Sequence, residues 1–116
     1  MDNDLVNDIQ ELSRRLDIAI GKLSKYGLEL SEAERDYKIT LRQEALKLRS
    51  EKNMPVTLIQ QVVYGVPEVA DKRFKRDVAE AMRDTALENI NVMKLQIRLL
   101  ENQLSREYSN INRGGV

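Results

Sequence analysis

The sequence predicts an all-α protein, folded as a long antiparallel helical hairpin with a short helix at its tip. Its 116 residues include only 5 Gly and 2 Pro, and Pro55, Gly65 and Pro67 lie close together in the middle of the chain. On either side of them, apolar residues recur at alternating spacings of three and four, which is typical of helices with a heptad repeat. With roughly 100 to 200 residues per domain, this length predicts a single domain.

The first long helix is predicted over about residues 4–52. Its heptad stripe consists of Leu5, Ile9, Leu12, Leu16, Ala19, Leu23, Tyr26, Leu30, Ala33 and Tyr37. After Tyr37 the stripe advances in steps of four through Leu41, Ala45 and Leu48, which resembles the stutter of a coiled coil.

One alternative concerns Gly27. This glycine, followed by Ser31 and Glu34, could end one helix and cap the next. The stripe keeps its phase across Gly27, however, so a single continuous helix is favoured.

The short helix is predicted over about residues 57–64. Pro55 restricts Met54 to extended dihedrals and therefore ends the first long helix. Thr57 and Gln60 have the spacing of a capping box, and Gly65 can adopt the left-handed dihedrals of a helix terminus.

The second long helix is predicted over about residues 67–112, with Pro67 in the first turn, where its missing amide costs nothing. Its apolar positions form two adjacent stripes, and residues 113–116 are expected to fray. The second stripe consists of Phe74, Ala81, Val92, Leu95 and Leu99. Such a wide apolar face predicts more than one neighbouring helix. The residues expected to form an oligomer interface are Val78, Met82, Ile90, Met93, Ile97, Leu100 and Leu104.

A lone hairpin would leave part of this wide face in water, which soluble monomers rarely tolerate. We therefore expect a homo-oligomer, with a two-fold dimer favoured, that forms a four-helix bundle or coiled coil. The competing possibility is that a different protein covers the free stripe.

The composition argues against catalysis. The chain has no His and no Cys, so it lacks the usual zinc ligands, the thiol and imidazole nucleophiles and the commonest general base. Two carboxylate pairs, Glu32 with Asp36 and Glu80 with Asp84, share helix faces but have no third group to complete a site. We expect a protein that is not an enzyme and has no catalytic residues, no cofactor and no metal.

Charge and hydropathy predict a location. One third of the residues are charged, and no apolar run approaches the roughly 18 residues of a membrane span or resembles a signal peptide. A cytoplasmic protein with no membrane partner is expected.

The zero net charge conceals a segregation along the chain. Residues 1–36 contain nine acidic and five basic side chains, whereas residues 37–76 contain nine basic and four acidic ones. In a hairpin the basic stretch gathers at the bend, where it could contact an acidic protein, a nucleoprotein complex or nucleic acid. The contacts expected there are Arg49, Lys52, Lys72, Arg73 and Arg76. Taken alone, the charge pattern favours the simpler interpretation that these are solvated helix faces.

Residues 57–76 invite comparison with a helix-turn-helix, because a short helix is followed by a turn containing Gly65 and then by another helix. Glu68 and Asp71 at the start of that helix are unfavourable near phosphates, and we expect no compact three-helix core around the segment. A structural turn is favoured over DNA reading.

Several blocks carry a resemblance to a known group of proteins. They are Glu34–Tyr37, Leu48–Arg49, Pro55–Ile59, Pro67–Ala70, Phe74–Glu80 and Glu88–Arg98. In this order they resemble uncharacterised small helical proteins encoded by phages and prophages of Gram-positive bacteria, over about residues 34–108. Genes of that group often lie among early functions for replication and recombination. The resemblance therefore implies a host-cytoplasm setting and transfers no site residues.

Together these observations predict a non-enzymatic, oligomerising interaction protein that binds a phage recombination or replication component or modulates a host protein. The first alternative is a nucleic-acid-binding protein that uses the basic tip. The second is a structural or virion assembly component, which would be found in purified particles.

Overall fold

The computed structural model describes residues 2–114, and the side chains of residues 3–111. Two long helices, α1 (Asp2–Lys52) and α3 (Pro67–Gly114), are separated by the short helix α2 (Val56–Val62) and a 3₁₀ turn (Val63–Gly65). No strand occurs in residues 2–114. The all-helical class, with a long N-terminal and a long C-terminal helix, is confirmed.

The chain divides into two compact units, which are described separately. The central unit is Lys25–Asp84, and the terminal unit combines the residues up to Ser24 with those from Thr85 onward. The central unit contains the end of α1, all of α2 and the 3₁₀ turn, and the start of α3. The candidate site lies within this unit.

α1 is continuous through Gly27, as the phase of its stripe predicts. The Ser31 hydroxyl donates a hydrogen bond to the Gly27 carbonyl at 3.1 Å instead of capping a new helix. In the central unit the predicted stripe is the least exposed face of α1, with Leu30 and Tyr37 each 8% exposed. The periodicity therefore predicted both the helix and its buried face.

α1 ends at Lys52, and Asn53 has a positive φ of 51°. Two hydrogen bonds hold the following residue against the helix end: Met54 N–H donates to the Leu48 carbonyl at 3.2 Å, and the Arg49 guanidinium donates to the Met54 carbonyl at 3.0 Å. Asparagine tolerates left-handed dihedrals better than most residues. A local turn at Asn53 therefore ends α1 before Pro55.

The predicted capping box at Thr57 is wrong. α2 begins one residue earlier, at Val56, and its N-cap is Pro55, with no side-chain cap hydrogen bond. The Pro55 carbonyl accepts hydrogen bonds from the amides of Leu58 and Ile59, both at 3.0 Å. The fixed φ of proline orients this carbonyl, so Thr57 already lies inside the first turn.

The predicted left-handed conformation of Gly65 is also wrong, because no described glycine has a positive φ. The 3₁₀ turn continues α2 with right-handed dihedrals, and Val66 N–H donates to the Val63 carbonyl at 3.1 Å. An extended Val66 then leads into Pro67, the first residue of α3.

A small apolar core joins all the helical elements of the central unit. It consists of Tyr37 and Leu48 from α1, Ile59 from α2, Val63 from the 3₁₀ turn and Val69 from α3. Our expectation that no three-helix core surrounds the residue 57–76 segment is therefore wrong: the third helix is the end of α1, which precedes the segment.

The same core accounts for the spacing of α1 after Tyr37. Leu41 and Ala45 pack against the core from this helix, with Leu48 within it. Steps of four rotate the stripe around the helix, since a heptad repeat advances by 3.5 residues per turn. In this region α1 therefore faces α2 and the 3₁₀ turn as well as Val69.

The least exposed face of α3 in the central unit is unusually polar. After Val69 it passes through Lys72, Arg76, Ala79 and Arg83, whereas Phe74, Val78 and Met82 are exposed by 67%, 46% and 46%. The predicted stripe reached Val78 from Ile90 in steps of four, which drift by about 120° over twelve residues of an α-helix. An alternation of three and four from Ile90 leads to the polar positions instead.

In the terminal unit the apolar face of α3 is regular. Ile90 is 2% exposed, and the next partly buried positions follow at heptad spacing, namely Met93, Ile97, Leu100 and Leu104. α3 extends to Gly114, two residues beyond the predicted end. The last two residues of the predicted frayed tail, 115 and 116, lie outside the described residues.

Candidate functional site

An open apolar groove of about 510 Å³ lies in the central unit between α1 and the α2–3₁₀ segment. α1 contributes Leu41 and Ala45 to its lining, and Ile59, Val63 and Tyr64 form the opposite side. Ile59 and Val63 are 7% and 4% exposed, so they are fixed by the core. The groove therefore has an apolar floor that belongs in part to the core.

The rim of the groove is basic. Lys38 and Arg42 lie one helical turn apart on α1, and both are exposed. Within the part of the chain that the structure describes, neither has an ion-pair partner within 4.0 Å. Two uncompensated cations thus border an apolar surface, an arrangement suited to an amphipathic ligand with negative charges.

Some of the basic residues predicted as contacts are engaged within the chain. The Arg49 guanidinium holds the Met54 carbonyl, and that of Arg73 lies 5.7 Å from the centre of the Tyr64 ring. The exposed Lys52 and the half-buried Lys72 complete the set with Arg76.

Arg76 has the most specific surroundings of the five. Its guanidinium lies 4.8 Å from the centroid of the Tyr37 ring and donates hydrogen bonds to the Asp77 carboxylate at 2.8 and 3.1 Å. These hydrogen bonds raise the pKa of Arg76 above its ordinary value, against the opposing effect of burial. The geometry indicates a packing role between the long helices.

Sequence reasoning missed the groove and its rim. Lys38 and Arg42 were counted among the basic residues of the bend, but their four-residue spacing is common on exposed helices. What distinguishes them is the docking of α2 against the same turns of α1. That docking depends on a tertiary core, and no local pattern predicts it.

The carboxylate pairs are surrounded by cations. Glu32 and Asp36 border a polar depression of about 190 Å³ together with Lys72 and Lys75, and Asp84 accepts a hydrogen bond from Arg83 at 2.9 Å. Among the described residues there is no group of three or more potential metal ligands. Cations of α3 therefore lie near the first pair, and Arg83 of the same helix pairs with Asp84 of the second.

The structure divides the residues predicted for an oligomer interface. Ile90 is buried inside the terminal unit, and Met93, Ile97, Leu100 and Leu104 continue the same face. Val78 and Met82, in the central unit, are nearly half exposed. A second copy would therefore have direct access to Val78 and Met82, and also to Val92, Leu95 and Leu99, which were assigned to the second stripe.

None of the helices in the described chain contains a stretch long and apolar enough to cross a membrane. No protein-family model matches the sequence, and neither the curated proteins nor the solved structures include a significant match.

Proposed function

We propose that this chain is a non-enzymatic, self-associating helical interaction protein whose groove binds an apolar, acidic helix of another protein. The observation that carries the proposal is the uncompensated basic rim, Lys38 and Arg42, beside the apolar floor. The resemblance to phage and prophage proteins supports a host-cytoplasm setting. The partner would then belong to the phage recombination or replication machinery, or would be a host protein that the chain modulates.

The dimensions of the groove favour a short helical ligand. From Lys38 to Ala45 the α1 side spans two turns, about 10 Å at 1.5 Å per residue. Its volume of about 510 Å³ accommodates a few apolar side chains. Peptide helices that bind in grooves anchor through residues at i, i+3 or i+4, and i+7. A partner helix with such anchors flanked by Asp or Glu would match both the floor and the rim.

Self-association is supported by the balance of burial. Only seven hydrophobic side chains are buried within the described chain, whereas nineteen large ones are exposed. In the proposed assembly each chain is an antiparallel hairpin and two chains form a dimer. Burial of exposed apolar surface would supply the stabilisation that so small a core cannot.

Comparative affinity capture from infected or lysogenic cells tests the groove. The variant Ile39→Arg places a long cation at the groove, where Ile39 is 49% exposed. The matched control is Leu46→Arg, on the same helix, at a side chain that is 63% exposed and does not line the groove. We expect a partner that is lost with Ile39→Arg and retained with Leu46→Arg.

Charge provides the second arm of this test. Lys38→Glu with Arg42→Glu should abolish capture, and binding by the wild type should weaken as salt rises, because the rim pairs are exposed. If every captured protein binds both groove variants as well as the wild type does, the groove proposal is wrong.

A nucleic-acid-binding protein remains the alternative, favoured by the three-helix core around α2 and the start of α3. Against it, Glu68 is exposed at the first turn of α3, and Asp71 is paired with Lys75 at 3.2 Å. A gel shift with duplex and single-stranded DNA at low salt distinguishes the two proposals. DNA binding would show a steep salt dependence from counterion release.

A further inference from the structure

α3 carries a second heptad stripe, which we call the outer seam. Its positions alternate by four and three and are all exposed: Phe74, Val78, Ala81, Thr85, Glu88, Val92, Leu95 and Leu99. Polar residues occupy the next position at either end, Asp71 and Asn102. Six of the eight positions are therefore apolar, and the stripe has defined ends.

The outer seam lies on the opposite side of α3 from the buried face. At 100° per residue, the two stripes are about 160° apart around the helix. On α1 the equivalent outer positions are mixed. Glu11, Arg14, Lys25, Glu32 and Arg35 are charged, whereas Ile18, Leu28 and Ile39 are isolated exposed apolar residues. A nearly continuous apolar stripe on the outer face is therefore found on α3 and not on α1, since a solvated helix face would be polar.

We propose that the outer seam packs antiparallel against the outer seam of a second copy of this chain. This proposal deepens the self-association proposed above and rests on it. A two-fold interface requires a self-complementary surface, and the seam is palindromic. In antiparallel register Phe74 faces the partner subunit's Leu99, Val78 faces the partner subunit's Leu95, and Ala81 faces the partner subunit's Val92.

The ends and flanks of the seam fit the same register. Asp71 faces Asn102 of the partner subunit, so the polar ends coincide. Beside the seam, Asp77 lies opposite the partner subunit's Arg98, and this ion pair occurs twice in the dimer. Only Oδ1 of Asp77 accepts the hydrogen bonds from Arg76, so its second carboxylate oxygen accepts no hydrogen bond from a cation of the described chain. Arg98 has no ion-pair partner within the described chain. Opposite charges beside an apolar seam select the partner and its orientation.

The centre of the interface is polar. Thr85 faces the partner subunit's Glu88, so two glutamates lie near the two-fold axis. Placing charges there weakens the association but penalises shifted registers, which would bury Glu88 against an apolar side chain. The apolar residues of the seam therefore stabilise the dimer, and Glu88 selects one register of the two helices.

Disulfide cross-linking tests the register, and the absence of native cysteine makes it clean. Val78→Cys and Leu95→Cys chains with different tags are prepared separately, mixed and oxidised. Both sites are about half exposed, so neither change disturbs the core. We expect the mixed dimer to cross-link at least ten-fold more efficiently than either chain alone.

Three outcomes would overturn the proposal. Efficient cross-linking of Val78→Cys chains alone would indicate a parallel pair, and absence of cross-linking in a protein that light scattering shows to be a dimer would indicate another surface. A monomer would overturn both this seam and the proposed self-association, whereas the groove-capture experiment would still report on partner binding.

Glu88→Leu provides an independent gain-of-affinity test. The change removes the two central charges and completes the apolar seam, so the dimer dissociation constant should fall by about ten-fold or more. The control Glu80→Leu makes the same exchange on α3 outside the seam. Equal effects of the two variants would contradict the proposed interface.

Discussion

The guanidinium of Arg76 stacks over the ring of Tyr37, with its central carbon 4.8 Å from the ring centroid. Tyr37 is a member of the central core and only 8% exposed. A charged side chain on the least exposed face of α3 therefore covers an aromatic side chain of α1. Arginine suits this position because its planar, weakly hydrated cation stacks on aromatic faces.

This stacking should be measurable as coupling between the two residues. We expect Arg76→Gln to lower the free energy of unfolding. A double-mutant cycle that combines Arg76→Gln with Tyr37→Leu should give a coupling energy of about 0.5–1 kcal/mol. Urea unfolding followed by circular dichroism measures it. The same cycle for Arg73 and Tyr64, where the distance is 5.7 Å and the ring is 45% exposed, should give a smaller coupling. Equal couplings would argue against a special role for Arg76.

Two glycines inside α1 are predicted to be sites of stabilisation. A Cβ atom added at Gly21 or at Gly27 would meet nothing within 4 Å, and neither has a positive φ. Gly21→Ala and Gly27→Ala should each stabilise the helix by about 0.5–1 kcal/mol, because alanine loses less backbone entropy on folding. Thermal unfolding of the single and double variants measures this. A loss of stability with Gly27→Ala would mean that this glycine serves an assembly contact.

The end of α1 depends on a left-handed residue. Asn53 has a φ of 51°, a conformation that costs most non-glycine residues about 1 kcal/mol or more. Asn53→Ala should destabilise the protein by about that amount, whereas Asn53→Gly should be neutral or stabilising. Chemical denaturation of the two variants provides the comparison. If both are equally destabilising, the side chain of Asn53 matters more than its backbone.

Glu11 is predicted to titrate below its ordinary range. Hydrogen bonds from Arg14, at 2.7 and 2.8 Å, and from Arg15, at 3.1 Å, lower the pKa of Glu11 below its ordinary value. Because the folded-state pKa is depressed, the resulting stabilisation is present above the unfolded-state pKa and is lost as pH falls through the folded-state pKa. NMR titration of the carboxyl carbon measures the value.

The control for this titration is the double variant Arg14→Gln, Arg15→Gln, which should bring the pKa of Glu11 back towards its ordinary value. An unchanged pKa in that variant would show that the two arginines are not the cause.

Periodicity predicted the helices of this protein well, because their buried faces repeat locally. The stripe from Leu5 to Tyr37 keeps a heptad repeat throughout and coincides with less exposed positions of α1. The prediction for α3 was weaker in the central unit, where Lys72, Arg76 and Arg83 occupy the buried heptad positions. The hydrophobic residues of this segment therefore predict the wrong buried face of α3. Arg76 can lie on the less exposed face because its guanidinium stacks on the Tyr37 ring.

The candidate groove could not be predicted in the same way. Its floor combines Leu41 and Ala45 with Ile59 and Val63, which are brought together by the core around Val69. The bend preceding it depends on Asn53 and on the Arg49 guanidinium, whereas sequence reasoning assigned the left-handed position to Gly65 and a partner contact to Arg49. These roles depend on hydrogen bonds that residue type does not specify.

The nineteen large apolar side chains that are exposed among the described residues have a consequence for handling the protein. Acidic and basic residues are equal in number, and the isoelectric point is near 6.3, so electrostatic repulsion between molecules is weak around neutral pH. Proteins with little net charge and apolar surface tend to precipitate. Colloidal stability should therefore be lowest near pH 6.3, and it should improve when a binding partner or a second copy covers the apolar surface.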